Sequence, residues 1–273
     1  IKRNKANPFF AYIAYNAVHA PAQAPAADIR KETDDPARNV LMAMLRSLDA
    51  GVGKIVDTLK AEGLFDNTLL FFLTDNGGSK AMHANNAPLR GYKQQDYEGG
   101  IRVPFIVSWP AKLKGGTTCA APLMSIDILP TALAAVGAAN AGKLPFDGRN
   151  ILPALEGKTD KVHDQLYWSS AAGKGAWAIR SGKWKLVGLK AGVELFDLDT
   201  DIGEANDLAL KHPDRVKMLK RLHDTWLDQM AEPANGAAKR WSADAPATGK
   251  KNKKKARAEK QKLRDERRAR RRA

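Results

Sequence analysis

The sequence predicts an α/β fold, in which a parallel sheet covered by helices is followed by a smaller antiparallel sheet with one helix. Three continuous apolar runs of strand length, at residues 9–15, 68–73 and 103–109, are typical of strands buried on both faces. An amphipathic helix pattern separates the first two runs. After residue 159, short strand patterns separated by glycine, lysine and serine are typical of an antiparallel meander.

The helices of the first part are marked by their ends. Asp35 followed by Pro36 is typical of a helix start, because aspartate caps free backbone amides and proline fits the first helical position. Apolar residues then recur at steps of three and four until Gly63, which predicts one long amphipathic helix. A second helix is predicted over residues 125–136, closed by Gly137. The apolar positions of the long helix are Leu41, Met44, Leu45, Leu48, Val52, Ile55, Val56 and Leu59.

The C-terminal part has a different pattern. Four short strands are predicted at residues 166–168, 176–180, 184–187 and 193–197. Pro213 begins an amphipathic helix, and we expect its apolar side to pack on the sheet with the tryptophans in the core. The residues on that side of the helix are Val216, Leu219, Leu222, Trp226 and Met230.

These patterns divide the chain into three predicted parts. Residues 1–158 form the end of a larger α/β domain, residues 159–232 a small α+β subdomain, and residues 233–273 a basic tail. Residues 239–273 contain sixteen Lys or Arg and four Asp or Glu, a net +12 of the formal +15. The tail has too few apolar residues to fold alone, so it is either simply solvated or binds anionic polymers non-specifically.

The first strand pattern, at residues 9–15, has no partner strand before it, and the chain starts with Ile1 rather than Met. We therefore expect that the opening units of the sheet precede this sequence. No signal peptide or membrane-spanning run is found between Ile1 and Ala273. The single cysteine, Cys119, excludes a framework of internal disulfides.

Two oxygen-bearing side chains follow the second strand pattern. Asp75 and Asn76 lie where ligands collect in open α/β sheets, beyond the carboxyl end of a buried strand. A carboxylate and an amide carbonyl suit calcium or magnesium rather than zinc, and Gly77 and Gly78 let the backbone turn closely around an ion. The alternative is an ordinary Asp-Asn-Gly-Gly turn.

Several sequence blocks, in a fixed order along the chain, carry a family resemblance. Residues 88–93 read Pro-Leu-Arg-Gly-Tyr-Lys, and residues 98–104 read Glu-Gly-Gly-Ile-Arg-Val-Pro. Together with residues 8–21, and with the later Gly-Lys-Trp-Lys-Leu and Glu-Leu-Phe-Asp-Leu segments, they resemble the formylglycine-dependent sulfatases of the alkaline phosphatase superfamily. The resemblance covers residues 8–230 and implies an alkaline-phosphatase-like fold.

The resemblance also implies roles for site residues. Asp75 and Asn76 match the second pair of calcium ligands in the family, whose first pair is a pair of aspartates expected upstream. Lys93 matches the lysine that contacts the substrate sulfate. His19 matches the histidine that hydrogen-bonds the sulfate or protonates the leaving oxygen. The formylglycine nucleophile is made from a Cys-x-Pro-Ser-Arg motif, which this sequence lacks, and Cys119 does not fit it.

The implied function is that of a sulfuric ester hydrolase, an arylsulfatase-like enzyme that releases inorganic sulfate with calcium and formylglycine. Without the nucleophile motif, we expect this chain alone to be inactive. The alternatives are a phosphodiesterase or phosphonate hydrolase of the same superfamily, and a non-catalytic protein that binds anionic polymers. The substrate is a sulfate ester, with sulfated polysaccharides among the candidates. Family analogy favours a periplasmic or extracellular location.

Several other polar residues allow more than one interpretation. His83 follows the metal segment and belongs either to the rim of a substrate site or to the surface. Glu98 and Arg102 match the family pattern, and we expect them to brace the turn before the next strand. The remaining histidines are predicted to be structural: His163, His212 and His223.

Overall fold

The structure is a computed structural model that describes residues 1–142, 145–169 and 176–230. Residues Ile1–Gln229 form one compact unit. A second unit spans Met230–Ala273, and only its first residue belongs to the described part of the chain. The predicted basic tail, residues 233–273, lies outside the described residues. Among the helices described, none is long and apolar enough to cross a membrane.

Helix α1, Pro36–Ala61, confirms the prediction made from its ends. The Asp35 carboxylate accepts hydrogen bonds from the backbone amides of Ala37 and Arg38, at 3.0 and 3.3 Å, and so caps the helix. Gly63 follows the end of the helix with a φ of +69°, a left-handed conformation that favours glycine. The buried apolar residues of α1 are Leu41, Ala43, Met44 and Leu59.

Strands β1, Leu70–Leu73, and β2, Phe105–Ser108, form a two-stranded sheet. They pair antiparallel, so the parallel pairing predicted for these two strands is wrong. The cause lies in the connection between them, which contains the short helix α2, Glu98–Ile101. A hydrogen bond from the Gly77 amide to the Gly100 carbonyl, 2.9 Å, joins the two ends of this connection, so the chain returns beside β1 in the opposite direction.

Residues 9–15 do not form the predicted buried strand. Their backbone has no regular secondary structure, and the side chains of Phe10 and Tyr12 are 82% and 84% exposed. An apolar run becomes a strand only where a neighbouring strand completes its hydrogen bonds, and no strand among the described residues pairs with this segment. The Tyr15 ring does lie against α1, close to Gly51.

The second predicted helix is confirmed as a short 3₁₀ turn, Ser125–Asp127, followed by α3, Ile128–Ala135. The buried Asp127 carboxylate accepts hydrogen bonds from the amides of Met124 and Arg149, each at 2.8 Å. His163 Nε2 lies 2.9 Å from the same carboxylate, which ties the segment before the second sheet to the start of α3. A one-turn helix, α4, Leu152–Leu155, follows α3.

The four predicted C-terminal strands are confirmed as an antiparallel meander, in the order β3-β4-β5-β6. Their bounds are Leu166–Ser169, Trp177–Ser181, Trp184–Leu189 and Gly192–Asp197. Helix α5, Pro213–Leu227, packs on this sheet through Leu219, which contacts Ile179, Leu186 and Leu195. Met230, predicted to lie on the apolar side of the helix, falls beyond its end and is exposed.

Two aromatic pairs join α5 to the sheet, as expected for core tryptophans. Tyr167 stacks on Trp226 with 4.9 Å between ring centroids, and Trp177 stacks on His223 at 4.1 Å. Both ring nitrogens of His223 are buried without a hydrogen-bond partner. The nearest carboxylate oxygen, on Asp224, is 3.7 Å away, which is too far for a hydrogen bond. Burial therefore lowers the pKa of His223.

We predict that His223 makes the protein less stable in mild acid. Its pKa is lower in the folded chain than in the unfolded chain, where it is about 6.5. The stabilisation is thus complete above that pH and is lost as the pH falls through it towards the folded pKa. We expect the free energy of unfolding, measured in urea, to fall less between pH 7 and pH 5 for His223→Phe than for the unmodified chain. His212→Phe, at an exposed histidine, is the control, and an equal pH dependence of all three would contradict the prediction.

Candidate functional site

The candidate site begins where β1 ends. Asn76 Nδ2 donates a hydrogen bond to Asp75 Oδ1 at 2.6 Å, so the two predicted metal ligands lie side by side. Asp75 is exposed and Asn76 is half-buried. The Thr74 hydroxyl donates to the Asn76 carbonyl at 3.3 Å, which holds the turn that follows the strand. The pair is thus ordered by the protein and open to a ligand from solution.

Glycines allow this loop to pack backbone against backbone on the segment before β2. A Cβ atom at Gly77 would lie 1.9 Å from the Gly99 carbonyl oxygen. A Cβ atom at Gly99 would lie 2.5 Å from the carbonyl oxygens of both Arg90 and Gly91. No real side chain tolerates such distances, so the close approach of the two segments requires glycine at these positions.

Lys93 lies next to residues 74–78, the predicted metal-ligand loop. This is the arrangement expected from the sequence if Lys93 and the loop belong to one site. Its backbone amide donates to the Gly78 carbonyl at 3.0 Å. Its side chain is half-buried, and its ammonium makes no hydrogen bond or ion pair with any residue that the structure describes. An ammonium that has no partner among the described residues, on a segment bonded to the Asp75 and Asn76 loop, is suited to bind an anionic group.

Asn86 fastens this arrangement and was not singled out from the sequence. Its side-chain oxygen accepts from the Gly78 amide at 3.1 Å, and its side-chain nitrogen donates to the carbonyls of Gly78 and Gly91, each at 3.0 Å. One amide side chain therefore links the metal-ligand loop to the Lys93 segment. Nothing in the sequence distinguishes Asn86 from an ordinary loop asparagine, because its three bonds depend on how distant backbone groups meet.

His19 lies apart from these residues in the contacts of the described chain. It is exposed, and no hydrogen bond or ion pair joins it to Asp75, Asn76 or Lys93. Its Nδ1 lies 2.9 Å from the Ala20 carbonyl oxygen. Because a carbonyl can only accept, Nδ1 carries a proton, and a neutral His19 presents Nε2 as an acceptor. The predicted role of His19 as a proton donor therefore requires the doubly protonated imidazolium.

Asp75 and Asn76 are ligands of the right type for a hard divalent cation, but two residues are too few to coordinate it alone. Asp75 and Asn76 supply oxygen ligands of the kind that calcium prefers, yet calcium takes about six to eight of them. Over residues 1–142, 145–169 and 176–230, no group of three or more His, Cys, Asp or Glu could hold a metal ion. Any calcium bound here thus needs further ligands besides this pair.

A buried cluster of charges supports the Lys93 segment from the other side. The ammonium of Lys185, on β5, is fully buried and lies 2.8 Å from both Glu98 Oε1 and Glu204 Oε1. The backbone amide of Glu98 donates to Glu204 Oε2 at 2.6 Å, so the three residues form a closed set of contacts. Burial raises the pKa of Glu204, because removal from water disfavours the charged carboxylate, and the nearby charge of Glu98 adds to the effect.

This cluster adds a second structural contact to the one expected of Glu98. As expected, Glu98 contacts Arg102 at the turn before β2: Arg102 Nη1 lies 3.5 Å from Glu98 Oε2, and the Arg102 amide donates to the Glu98 carbonyl at 2.7 Å. The short contact of Glu98 runs to Lys185, 87 positions away along the chain, and joins α2 to the C-terminal sheet. Asp96, also buried, leaves Oδ2 without a hydrogen-bond partner, and burial raises its pKa.

Arg90 makes a second connection between the site segment and the C-terminal sheet. Its guanidinium lies 4.0 Å from the centroid of the Tyr97 ring and donates to the Glu204 carbonyl at 2.9 Å. It also lies 3.2 Å from Glu194 Oε2, which accepts a hydrogen bond from the Tyr97 hydroxyl at 2.6 Å. Burial, together with this bond to a carboxylate, raises the pKa of Tyr97, so the hydroxyl remains a donor.

Cys119 lies outside this arrangement. It is half-buried, with Sγ 3.8 Å from the Ala154 carbonyl oxygen, and lines a depression of about 420 Å³ with Thr118, Lys158 and Asp160. No histidine lines that depression, and among the described residues no basic group is bonded to the sulfur.

Comparison with known proteins gives two family matches. The sulfatase family model matches residues 1–138, and the model for the C-terminal part of N-sulphoglucosamine sulphohydrolase matches residues 92–232. An uncharacterized sulfatase of Escherichia coli (strain K12) is 35% identical over 167 residues, which are 59% of this chain and 30% of that protein. Arylsulfatase J of Mus musculus is 32% identical over 200 residues, 66% of this chain and 33% of that protein.

The chain spans about a third of the length of these curated relatives. Among solved structures, Ps i-CgsB in complex with k-i-k-neocarrahexaose superimposes with a TM-score of 0.76 at 34% identity. That match covers 82% of this chain and 51% of the other. It confirms the predicted alkaline-phosphatase-like α/β fold class, with its small C-terminal sheet.

We predict that removing the buried ammonium strongly destabilises the protein. Lys185→Met leaves Glu98 and Glu204 buried without a cation and should lower the free energy of unfolding by about 3–5 kcal/mol. Replacing all three groups, with Lys185→Met, Glu98→Gln and Glu204→Gln together, should recover most of this loss in urea unfolding. Lys183→Met, which removes a partly exposed ion pair to Asp197 nearby, should change stability much less. Equal losses from the two single substitutions would contradict the prediction.

We also predict that Gly77→Ala separates the two site segments, because its Cβ atom would overlap the Gly99 carbonyl. The amides of Gly77 and Lys93 should then exchange their hydrogens faster, as measured by amide hydrogen exchange. Gly53→Ala is the matched control, since nothing lies within 4 Å of its Cβ position in α1. That change should stabilise the chain by roughly 0.5–1 kcal/mol. Unchanged exchange in Gly77→Ala would show that the close contact is not required.

Proposed function

The chain belongs to the sulfatase family, whose model matches residues 1–138, and we propose that its site hydrolyses sulfate esters to release inorganic sulfate. One observation carries the proposal. The backbone of Lys93 is bonded to Gly78, two residues after Asn76, and its ammonium has no partner among the described residues, while Asp75 and Asn76 lie side by side at the end of β1. A cation next to oxygen ligands for a metal is the arrangement that a sulfate group requires, because all of its peripheral oxygens carry negative charge.

Asp75 and Asn76 are proposed to hold calcium with ligands from elsewhere in the intact enzyme. A bound calcium would neutralise negative charge on the sulfate and orient it. The hydrogen bond between the two side chains fixes Asp75 Oδ1 and uses the amide nitrogen of Asn76, which leaves the Asn76 carbonyl oxygen available as a ligand. The exposure of Asp75 supports the same role, since a cation can reach an exposed carboxylate from solution.

Lys93 is proposed to bind the sulfate oxygens, and its compact ammonium suits a point contact with a tetrahedral anion. His19 is proposed to donate a proton to the leaving oxygen. Its Nδ1 proton is committed to the Ala20 carbonyl, so that the proton transferred would come from Nε2. The contacts of His19 in this chain do not include the other site residues, and substrate would have to bridge them.

The nucleophile is assigned to a separate stretch of the intact enzyme. Residues 1–273 contain no Cys-x-Pro-Ser-Arg motif from which a formylglycine is made. We therefore propose that this chain supplies the sulfate-binding and half of the metal-binding part of the site and is inactive by itself. A phosphate or phosphonate ester is the alternative substrate class, and it would use the same cations.

A sulfated saccharide is the substrate class that we favour, by analogy with the related structure in complex with k-i-k-neocarrahexaose. The intact enzyme is proposed to act in the periplasm or outside the cell, where such polymers are found. The basic composition of residues 239–273 supports an additional, salt-sensitive attraction to the same polymers. None of these assignments depends on a particular position of the sulfate along the polymer.

The test is Lys93→Ala in the intact enzyme, with sulfate release as the measurement. We expect kcat/KM for a sulfate ester to fall about 10²–10³-fold, the usual effect of losing one electrostatic contact to the transition state. Lys112→Ala, at an exposed lysine outside the site, should leave the rate unchanged.

Two further assays separate the alternatives. A matched phosphate ester that is hydrolysed faster than the sulfate ester would favour the phosphate alternative. Sulfate release by residues 1–273 alone would contradict the assignment of the nucleophile to another stretch of the enzyme.

A further inference from the structure

The loop of residues 79–86 carries a histidine that none of the proposed steps uses. The loop leaves the site at Gly78 and returns at Asn86, which bonds both the amide and the carbonyl of Gly78. A 3₁₀ turn, Lys80–Met82, precedes His83, whose φ is +55°. Hydrogen bonds thus join the two ends of the loop at Gly78, next to the metal-ligand loop. The 3₁₀ turn lies between Gly78 and His83.

Two residues from the start of α1 hold His83. Its Nδ1 lies 2.6 Å from Asp35 Oδ2, and its backbone carbonyl accepts a hydrogen bond from Arg38 Nη1 at 2.9 Å. The other oxygen of Asp35 caps α1, so each carboxylate oxygen has a separate partner. The hydrogen bond with His83 is the main cause that lowers the pKa of Asp35, which keeps this carboxylate ionised.

The imidazole is consequently oriented with one nitrogen open. An ionised carboxylate accepts, so Nδ1 carries the proton, and Nε2 of the neutral ring is an acceptor. Within residues 1–142, 145–169 and 176–230, no group hydrogen-bonds Nε2, and the His83 side chain is 48% exposed. Ordering a surface side chain costs conformational entropy, and here it leaves a directed hydrogen-bond acceptor facing solution.

His83 lies within reach of a substrate that extends beyond the sulfate. It lies five positions after Gly78, which sets an upper limit of about 17 Å for the distance between their Cα atoms. The 3₁₀ turn shortens that distance, because it rises only about 2 Å per residue. The loop therefore keeps His83 near enough to the site to contact a part of the substrate next to the sulfate.

On the basis of the proposed sulfatase function, we propose that His83 recognises the saccharide part of the substrate by accepting a hydrogen bond from a sugar hydroxyl through Nε2. Asp35 acts as its positioning residue. A sugar ring carries hydroxyls around the sulfated carbon, whereas a simple aryl sulfate has none. The contact thus distinguishes a sulfated saccharide from an aryl sulfate without taking part in the cleavage of the ester bond.

The experiment compares His83→Asn and Asp35→Ser in the intact enzyme. Asparagine tolerates the left-handed backbone of residue 83 and is too short to present a group at the Nε2 position. Serine still caps α1 but does not reach His83, so it removes the orientation and keeps the helix start. His212→Asn, at an exposed histidine on another part of the unit, is the matched control.

Two quantities are measured for each variant. The first is KM, on a sulfated neocarrahexaose and on 4-nitrophenyl sulfate. The second is the Kd for the hexaose, measured by calorimetry. Both variants should raise KM and Kd for the hexaose roughly tenfold, the effect of one lost hydrogen bond, with kcat nearly unchanged. Values for the aryl sulfate should stay within about twofold. Unchanged hexaose affinity in His83→Asn, or an equal loss on both substrates, would overturn the proposal.

The proposed function can fail separately from this inference. If the unmodified enzyme cleaves neither substrate, the sulfatase proposal is wrong, and the calorimetric affinity for the hexaose still decides whether His83 binds the saccharide. If the hexaose also fails to bind to the unmodified enzyme, the inference about His83 is overturned with it. Circular dichroism spectra of the variants distinguish a lost contact from a lost fold.

Discussion

The buried ammonium of Lys185 is the contact on which the rest of this arrangement depends. It lies between Glu98 of α2 and Glu204 of the segment after β6, with no exposure to solvent. Removing three charged groups from water is so costly that they are tolerated only when they meet, and this requirement selects one docking of α2 on the C-terminal sheet. A buried ion pair contributes little net stability compared with apolar packing, but it strongly penalises any other register.

Backbone contacts between α2 and the loop that carries Asp75 and Asn76 fix the position of that loop relative to α2. Gly99 and Gly100 belong to α2, and Gly77 of the metal-ligand loop packs directly on them. Because backbone atoms have no rotamers, this contact transmits position without the freedom of a side chain. The C-terminal sheet therefore helps to determine where Asp75 and Asn76 lie, through α2 and Gly77.

Much of the fold could be predicted from the sequence, because periodicity and end signals are local. The Asp35 cap, the stop at Gly63 and the four-strand meander follow from short patterns. The strand predicted at residues 9–15 and the parallel pairing of β1 were wrong, since both depend on which strands lie next to each other. Lys93, Asp75 and Asn76 were predicted from sequence blocks, whereas the bonds of Asn86 and the contact of Asp35 with His83 join distant residues and left no local signal.

Hydrogen bonds and ion pairs within the protein distinguish the residues that hold the site together from those proposed to contact the substrate. Around residues 75–100, the charged groups that anchor the chain have partners inside the protein: Lys185 with two glutamates, Arg90 with Glu194, and Asp35 with His83. The groups proposed to meet substrate do not, because the Lys93 ammonium and His83 Nε2 have no partner among the described residues. An unpaired polar group retains its capacity for a ligand, and one that a neighbour orients, as Asp35 orients His83, also loses less entropy when a ligand binds. Burial alone would not have identified them, since Lys93 is half-buried and His83 more exposed.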